Sequence, residues 1–330
     1  MDARENILLI RLKSIGDIIF TLPAVHTVRY NFPDARLHFL ISKEFAPLMR
    51  GFPEVDEIIP VDRAAFHSKS LPLVCSSAFR LIRRLRRENF SLVIDFQGYG
   101  ETAWLSWLSG APERWSCVYE PARAWACTRG AWRDITIHPA EWNLSLLQQC
   151  GLRTGEVRNE YTLPEDAMAG AGKFFAENNL DAAKPILFLQ PFTSTPHKNW
   201  PLVNFIGMAR HFHSRGVQIV FGGGPSERTA LEPARAAGFV VSAGAPLLVT
   251  AGMMKLSTLV AGADTGLLHM AVAAGKRVVM LMASADIITR PFQHFNWALA
   301  PACGNPISSI RTETVIEACA GAFAEQRCTT

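Results

Sequence analysis

The sequence predicts an α/β protein built from two doubly wound parallel-sheet domains. Three observations carry that reading. Short apolar runs alternate with helix-period stretches through both halves of the chain, the pattern of βαβ units on a parallel sheet. The length, 330 residues, exceeds one typical core and suits two. Between 152 and 184 the composition turns polar, as Arg, Asn, Glu and Pro accumulate. The expected organisation is a first Rossmann-like domain over 1–160, a linker over 161–184 and a second Rossmann-like domain over 185–330. The C-terminal helix is free to return to the first domain. Facing strand ends would form a deep cleft, the usual ligand site of such sheets.

In the first half, strands are expected over 6–12, 36–41, 57–61 and 91–96. A helix over 17–30 carries Pro23, which kinks it or marks a first turn. Another helix spans 76–88. The span 110–140 is rich in Trp, Arg and Ala without a clear period and reads as helix and loop. In the second half a helix over 165–179 precedes strands at 185–190, 218–221, 239–241, 258–263 and 277–282. Helices at 202–214, 226–237, 247–255 and 267–274 separate them. Gly275 stands where a helix C-cap wants a left-handed residue.

Bulk properties exclude several classes. The net charge of +4 is too mild to argue for nucleic acid. No apolar run is long enough to span a bilayer, and the N-terminus lacks the parts of a signal peptide, so a cytoplasmic location is expected. The seven cysteines (75, 117, 127, 150, 303, 319 and 328) form no C-x-x-C pair, which argues against zinc and against a disulfide framework. Arg80, Arg83, Arg84, Arg86 and Arg87 crowd one amphipathic stretch. That stretch is either a solvated helix face or a surface that attracts anionic headgroups or a phosphorylated acceptor.

Four segments at expected strand ends can carry chemistry. Arg11-Leu12-Lys13-Ser14-Ile15-Gly16-Asp17 runs from a buried strand into a turn and a helix start. Asp17 is either a helix cap or a general base. Thr193, Ser194, Thr195 and Lys198 follow the first strand of the second domain; the hydroxyls can donate to phosphate oxygens and the lysine can neutralise them. Gly222-Gly223-Gly224-Pro225-Ser226-Glu227 lets a ligand approach backbone, with Glu227 placed for ribose hydroxyls or for a helix dipole. Asp264-Thr265-Gly266 opens a small-residue helix that carries His269, and such a helix start is a natural phosphate seat.

Read in order, these segments resemble glycosyltransferase family 9, the lipopolysaccharide heptosyltransferases. The resemblance rests on S-x-G-D with a following Leu-Pro (Ser14–Asp17, Leu22-Pro23), K-x-W-P (Lys198–Pro201), the Gly-rich turn with Pro and Glu (Gly222–Glu227), and D-[ST]-G-x-x-H-x-A (Asp264–Ala271). It implies a GT-B fold, with the nucleotide sugar, typically ADP-heptose, on the second domain and a glycolipid acceptor on the first. It further implies that Asp17 is the catalytic base of an inverting transfer. Thr193, Ser194, Lys198, Gly223, Glu227, Asp264, Thr265, Gly266 and His269 would form the donor site, and Arg11, Lys13, Ser14 and Gln97 the acceptor side. No metal or other cofactor is expected, and contact with the inner-membrane surface is compatible with such an acceptor. The chain departs from the family where Met282-Ala283-Ser284-Ala285-Asp286-Ile287 replaces a Gly-Pro-Thr-like turn. Two other readings stay open: a Rossmann oxidoreductase, which lacks its G-x-G-x-x-G, and a non-catalytic nucleotide-sugar-binding protein.

Overall fold

The computed structural model describes residues 5–66, 70–181, 183–285 and 288–327. The chain divides into two compact units, Met1–Glu160 and Tyr161–Thr330.

The first unit contains β1 (Asn6–Ile10), α1 (Ile15–Ile19), α2 (Leu22–Asn31), β2 (Arg36–Ser42), β3 (Glu57–Val61), α3 (Arg63–Phe66), α4 (Leu71–Arg87), β4 (Leu92–Asp95), α5 (Gly100–Leu108), β5 (Glu113–Val118), β6 (Arg129–Trp132) and α6 (Pro139–Gln149). Its six strands are all parallel, in the order β3-β2-β1-β4-β5-β6. The central strands read as unbroken apolar runs because helices cover both faces. Leu8, Ile10, Leu40 and Val93 on one face are fully buried, each contributing roughly 2 kcal/mol from burial.

Three local differences from the sequence reading have physical causes. The helix expected over 17–30 is two helices. Thr21 caps α2, and Pro23 lies in its first turn, where a missing N–H costs nothing; Asn143 donates to the Phe20 carbonyl at the break, at 3.0 Å. Helix α4 starts at Leu71, ahead of the expected 76. The span 110–140, expected as helix and loop, contains β5 and β6. Polar Glu113, Arg114 and Ser116 interrupt β5, and β6 is the edge strand of the sheet, so neither shows an apolar run, and β6 buries only Ala131.

The second unit contains α7 (Glu165–Glu177), β7 (Ile186–Gln190), α8 (Leu202–His213), β8 (Gln218–Gly223), α9 (Glu232–Ala236), β9 (Val240–Ala243), α10 (Leu247–Leu256), β10 (Leu259–Ala263), α11 (Gly266–Ala273), β11 (Val278–Leu281), β12 (Ala298–Leu299) and α12 (Thr312–Arg327). Its parallel sheet runs β12-β11-β10-β7-β8-β9. Gly275 closes α11 with φ of 75°, as its position after the helix anticipated. At Gly262 in β10 a Cβ would overlap the carbonyl of Gln190 on β7, so the close approach of these two strands requires glycine.

Here too the structure corrects the sequence reading. The helix expected over 226–237 is a 3-10 turn, Pro225–Glu227, followed by α9. Pro233 lacks the N–H that a continuous helix would use, and the helix restarts around it. Strand β12, two residues long, is too short to leave a period. The helix expected over 165–179 is present as α7, but in place of a linker it packs against α10 and buries Ala167, Ala171 and Phe175 as part of the second unit. The C-terminal helix α12 lies against α8, β10 and β11 of its own unit.

The two sheets share one topology. Each grows outward from a central strand and then reverses to its other side, at β1/β4 in the first unit and at β7/β10 in the second. Ligands of doubly wound sheets bind outside the carboxyl ends of the strands at such a reversal. The segments singled out by sequence follow β1, β7, β8 and β10.

Candidate active site

In the first unit the site grows out of the end of β1. Register places Ile10 beside Asp95 of β4, and Arg11 emerges next to it. Arg11 is only 8% exposed, and its guanidinium uses all three nitrogens. Nε donates to the Lys13 carbonyl at 2.9 Å, Nη1 to the Phe96 carbonyl at 2.9 Å, and Nη2 pairs with Asp17 Oδ2 at 2.7 Å. A planar fork held at three points has one orientation, and it fixes that of Asp17.

Asp17 is not the helix cap. Ser14 occupies the cap position and Asp17 is the third helical residue. Its Oδ2 accepts from the Ser14 N–H at 3.2 Å and from the Ser14 hydroxyl at 3.1 Å. Burial pushes this carboxyl up, but the Arg11 charge and hydrogen bond, with the two Ser14 donors, more than offset it. The net result lies below the ordinary carboxylate value, so Asp17 is ionised at neutral pH. The side chain is still 37% exposed. The site thus presents an ionised carboxylate to solvent.

Gln97, expected on the acceptor side, is fully buried. Its Oε1 accepts from the Leu12 N–H at 2.9 Å and its Nε2 donates to Glu101 at 3.1 Å, so it ties the end of β1 to α5. Lys13 is half-buried beside the turn and Ser14 is exposed. Asp95 had no motif to mark it. It is fully buried, and its Oδ1 accepts from the N–H groups of Gln97 and Gly98 at 2.9 and 3.0 Å. Burial raises its pKa to about 6, against the pull of those donors. Beside this turn a cavity of about 610 Å³ is lined by Arg63, Tyr99, Glu101, Tyr119, Arg123 and Arg133, with Glu120.

In the second unit the loop after β7 and the start of α11 meet. Asp264 is 7% exposed; its Oδ1 lies 2.9 Å from His269 Nε2 and its Oδ2 lies 3.4 Å from Lys198 Nζ. Thr289, which sequence reasoning missed, donates to the same Oδ2 at 3.5 Å. Burial pushes the Asp264 carboxyl up, but His269 and Lys198 pull it net below its ordinary value. His269 reaches Asp264 because one helical turn separates His269 from the cap residue Thr265, whose side chain accepts from the Leu268 N–H. The first N–H groups of any helix lack intrahelical partners, so Gly266 and Leu267 present donors there.

The remaining candidates hold loop shapes. Thr193 Oγ1 donates to the Thr195 carbonyl at 2.8 Å and accepts from the Thr195 N–H at 3.0 Å, while Asn199 accepts from the Thr193 N–H at 2.8 Å. Ser194, at the crest of this turn, is exposed. Trp200 of the K-x-W-P segment is core: its indole N–H donates to the Ile310 carbonyl at 2.9 Å and its ring packs edge-on against Phe205. It anchors the loop that carries Lys198. Glu227 folds back on its own turn and accepts from the Gly224 N–H at 2.7 Å. Gly223 lies against it, where a Cβ would come within 3.0 Å of the carboxylate. The departing loop 282–287 is described only to Ala285; Asp286 and Ile287 lie outside the described residues, as does Cys328. The other six cysteines are unbridged.

Among the described residues one histidine–carboxylate group, His38 with Glu57 and Glu88, has ligand atoms within 4.8 Å of one another. Glu57 is already engaged by Arg36 at 2.7 Å and by Arg84 at 2.9 Å. The group lies toward the amino ends of β2 and β3, away from the reversal point, and its chemistry is that of a salt-bridge cluster.

The class is thereby defined: a two-domain, doubly wound α/β protein with a charged, preorganised carboxylate at the topological reversal of each sheet. The model of glycosyltransferase family 9 (heptosyltransferase) matches residues 78–298, more than half of the chain, and the chain belongs to that family. The matched span includes the Lys198, Gly-rich and Asp264 segments and begins after Asp17. Lipopolysaccharide heptosyltransferase 1 of Pseudomonas aeruginosa is 26% identical over 279 residues, covering 81% of this chain and 76% of that protein. Lipopolysaccharide heptosyltransferase 1 of Escherichia coli K12 is 23% identical, covering 85% and 88%. Among solved structures, a glycosyltransferase family 9 protein from Veillonella parvula superposes with a TM-score of 0.86 at 22% identity, covering 98% of this chain and 99% of that one. The E. coli heptosyltransferase WaaC with ADP gives 0.78 at 20% identity, covering 96% and 99%. The chain is a glycosyltransferase, and its pair of parallel-sheet domains is the GT-B fold.

Proposed function

We propose that this glycosyltransferase moves a heptose from ADP-heptose to an inner-core lipopolysaccharide acceptor, with inversion at the anomeric carbon and Asp17 as general base. Asp17 takes the proton of an acceptor hydroxyl as that oxygen bonds to the anomeric carbon. The bond from that carbon to the diphosphate breaks in the same displacement, and ADP leaves with the electron pair. Lys198, Thr193, Ser194 and the amides at 265–267 receive the diphosphate and its leaving charge. Asp264, oriented by His269, meets the donor sugar, and Glu227 and Gly223 border the nucleoside. Arg11, Lys13, Ser14 and Gln97 shape the acceptor side. The lysine and helix terminus do the work a cation would do, so transfer needs no metal. The enzyme works at the cytoplasmic face of the inner membrane, where it contacts the bilayer peripherally.

The observation that carries this reading is the state of Asp17. A carboxylate kept ionised by Arg11 and Ser14 yet more than one-third exposed is available to a bound hydroxyl. Family membership supplies the reaction class, and the similarity to lipopolysaccharide heptosyltransferases and to a structure holding ADP supports the substrate pair. The test is Asp17→Ala. Transfer falls by 100-fold or more, about the lower range for a general base, while calorimetry finds donor affinity nearly unchanged; EDTA leaves the wild-type rate unaltered. Wild-type turnover in the variant would remove Asp17 from the chemistry, and strict dependence on added Mg²⁺ would end the metal-free reading.

A further inference from the structure

Helix α5 and the 3-10 turn Pro121–Ala126 carry three tryptophans that the transfer chemistry does not use. Trp104, Trp107 and Trp125 are 54%, 45% and 47% exposed, yet they pack on one another. Ring centroids lie 4.7 Å apart for Trp104–Trp125, 5.9 Å for Trp104–Trp107 and 6.0 Å for Trp107–Trp125. Three half-exposed indoles in mutual contact form a contiguous apolar patch with polar N–H edges, and such a patch on a globular protein marks a docking site.

The neighbouring helix supplies charge. Helix α4 packs beside α5, and Arg86 Nε donates to the Leu108 carbonyl at the end of α5, at 3.0 Å. From Leu71 to Arg87 it carries five arginines and no acid, and it buries only Leu85. Arg84 is taken by Glu57. Arg83 and Arg87 are exposed and have no carboxylate partner among the described residues. Phe79, one helical turn before Arg83, is 65% exposed, and Leu71 is 75% exposed.

We propose that this face, Trp104, Trp107 and Trp125 flanked by Phe79, Arg83 and Arg87, docks the protein on an anionic phospholipid bilayer. Indoles partition to the headgroup level, where one edge stays wet and the ring is buried. Arginines beside them pair with lipid phosphates and are drawn by the surface potential of an anionic leaflet. Neither half suffices alone, and their adjacency selects a charged bilayer over a neutral surface. The inference deepens the membrane contact in the reading above and rests on it for its purpose. The elements that carry the tryptophans also contribute Glu101 and Arg123 to the polar cavity beside the Gln97–Gly98 turn, so docking here brings that cavity to a lipid-anchored acceptor.

The test uses the full chain and vesicles of phosphatidylglycerol with phosphatidylethanolamine, and phosphatidylcholine vesicles in parallel. Co-sedimentation reads binding, and quenching by brominated lipid reads tryptophan insertion. Wild type binds the anionic vesicles, is quenched, and releases as salt shortens the screening length from about 10 Å at 0.1 M to about 3 Å at 1 M. Arg83→Glu with Arg87→Glu lowers partitioning by at least about fivefold per arginine removed. The Trp104→Ser, Trp107→Ser, Trp125→Ser variant loses quenching. If that variant does not fold, the charge reversal on exposed positions still decides. Transfer to a soluble, delipidated acceptor stays at the wild-type rate in the charge-reversed chain. Equal binding to both vesicle types, or binding unaltered in the variants, overturns the proposal. So does a concentration-dependent dimer lost with the tryptophans while vesicles go unbound. Failure of transfer to every acceptor with vesicle binding intact would instead contradict the transferase reading and leave the surface standing.

Discussion

Asp17 owes its charge to Arg11, and that dependence is measurable. Because its folded pKa lies below the ordinary value, the working carboxylate persists as pH falls and is lost only on passing through that lowered pKa. The acid limb of kcat/KM therefore lies on the acid side of an ordinary aspartate. Arg11→Met removes the guanidinium and leaves burial to push the carboxyl up, so the limb moves to higher pH. A pH–rate profile with an unmoved limb would separate the two residues. The stability that this carboxylate contributes follows the same sign, present above the unfolded pKa and lost as pH drops through the folded one. Lys198 makes a separate prediction. Its 3.4 Å approach to Asp264 is long for a charge-assisted bond, which leaves the ammonium able to turn to a diphosphate. Lys198→Ala weakens donor binding roughly 10- to 100-fold, the worth of one hydrogen bond to a charged group, and calorimetry with the nucleotide sugar reads it.

At the scale of elements, the strand ends do the positioning. Asp95 closes β4, and its Oδ1 organises the Gln97–Gly98 turn on which Arg11 leans through the Phe96 carbonyl. Its raised pKa of about 6, from burial, sets the sign. Below an unfolded pKa near 3.8 the proton is bound in both states; between there and about 6 the folded state alone binds it and stability falls as pH rises, the loss reaching about 3 kcal/mol and staying there above that window. Asp95→Asn keeps an acceptor oxygen for both N–H groups and removes the charge. Its Tm at pH 7 exceeds that of wild type, and the gap closes toward pH 4. A variant less stable at both pH values would show that the ionised form is what holds the turn. Such a residue carries no local signal: it ends an ordinary apolar run, and only the parallel pairing with β1 puts it behind Arg11. Thr289 escaped notice for the same reason, as it reaches Asp264 across 25 residues. What was legible lay where one segment contains its own chemistry: Ser14 with Asp17, Thr265 with His269, Gly275 at its cap. Strands β5 and β6 were not, because polar residues interrupt β5 and the exposed edge strand β6 lacks the apolar run that betrays a central one.

For the whole molecule, two sheets of one topology place the singled-out segments at strand ends around their reversal points, and that repetition explains why four individually weak motifs were informative in order. The amino-terminal Ser14–Asp17 segment precedes the span that matches the family. The Trp-rich stretch gave no acceptor motif as a sequence; folded, it is an exposed cluster, because packing rather than spacing brings Trp104 and Trp125 together. The reaction itself can be observed. Purified protein incubated with ADP-heptose and an inner-core acceptor, followed by mass spectrometry of the acceptor and assay of free nucleotide, tests it directly. The expected result is an acceptor heavier by one heptose, one ADP released per transfer, and a new linkage inverted relative to the donor. An unmodified acceptor with intact ADP-heptose, under conditions where a different nucleotide sugar is consumed, would contradict it.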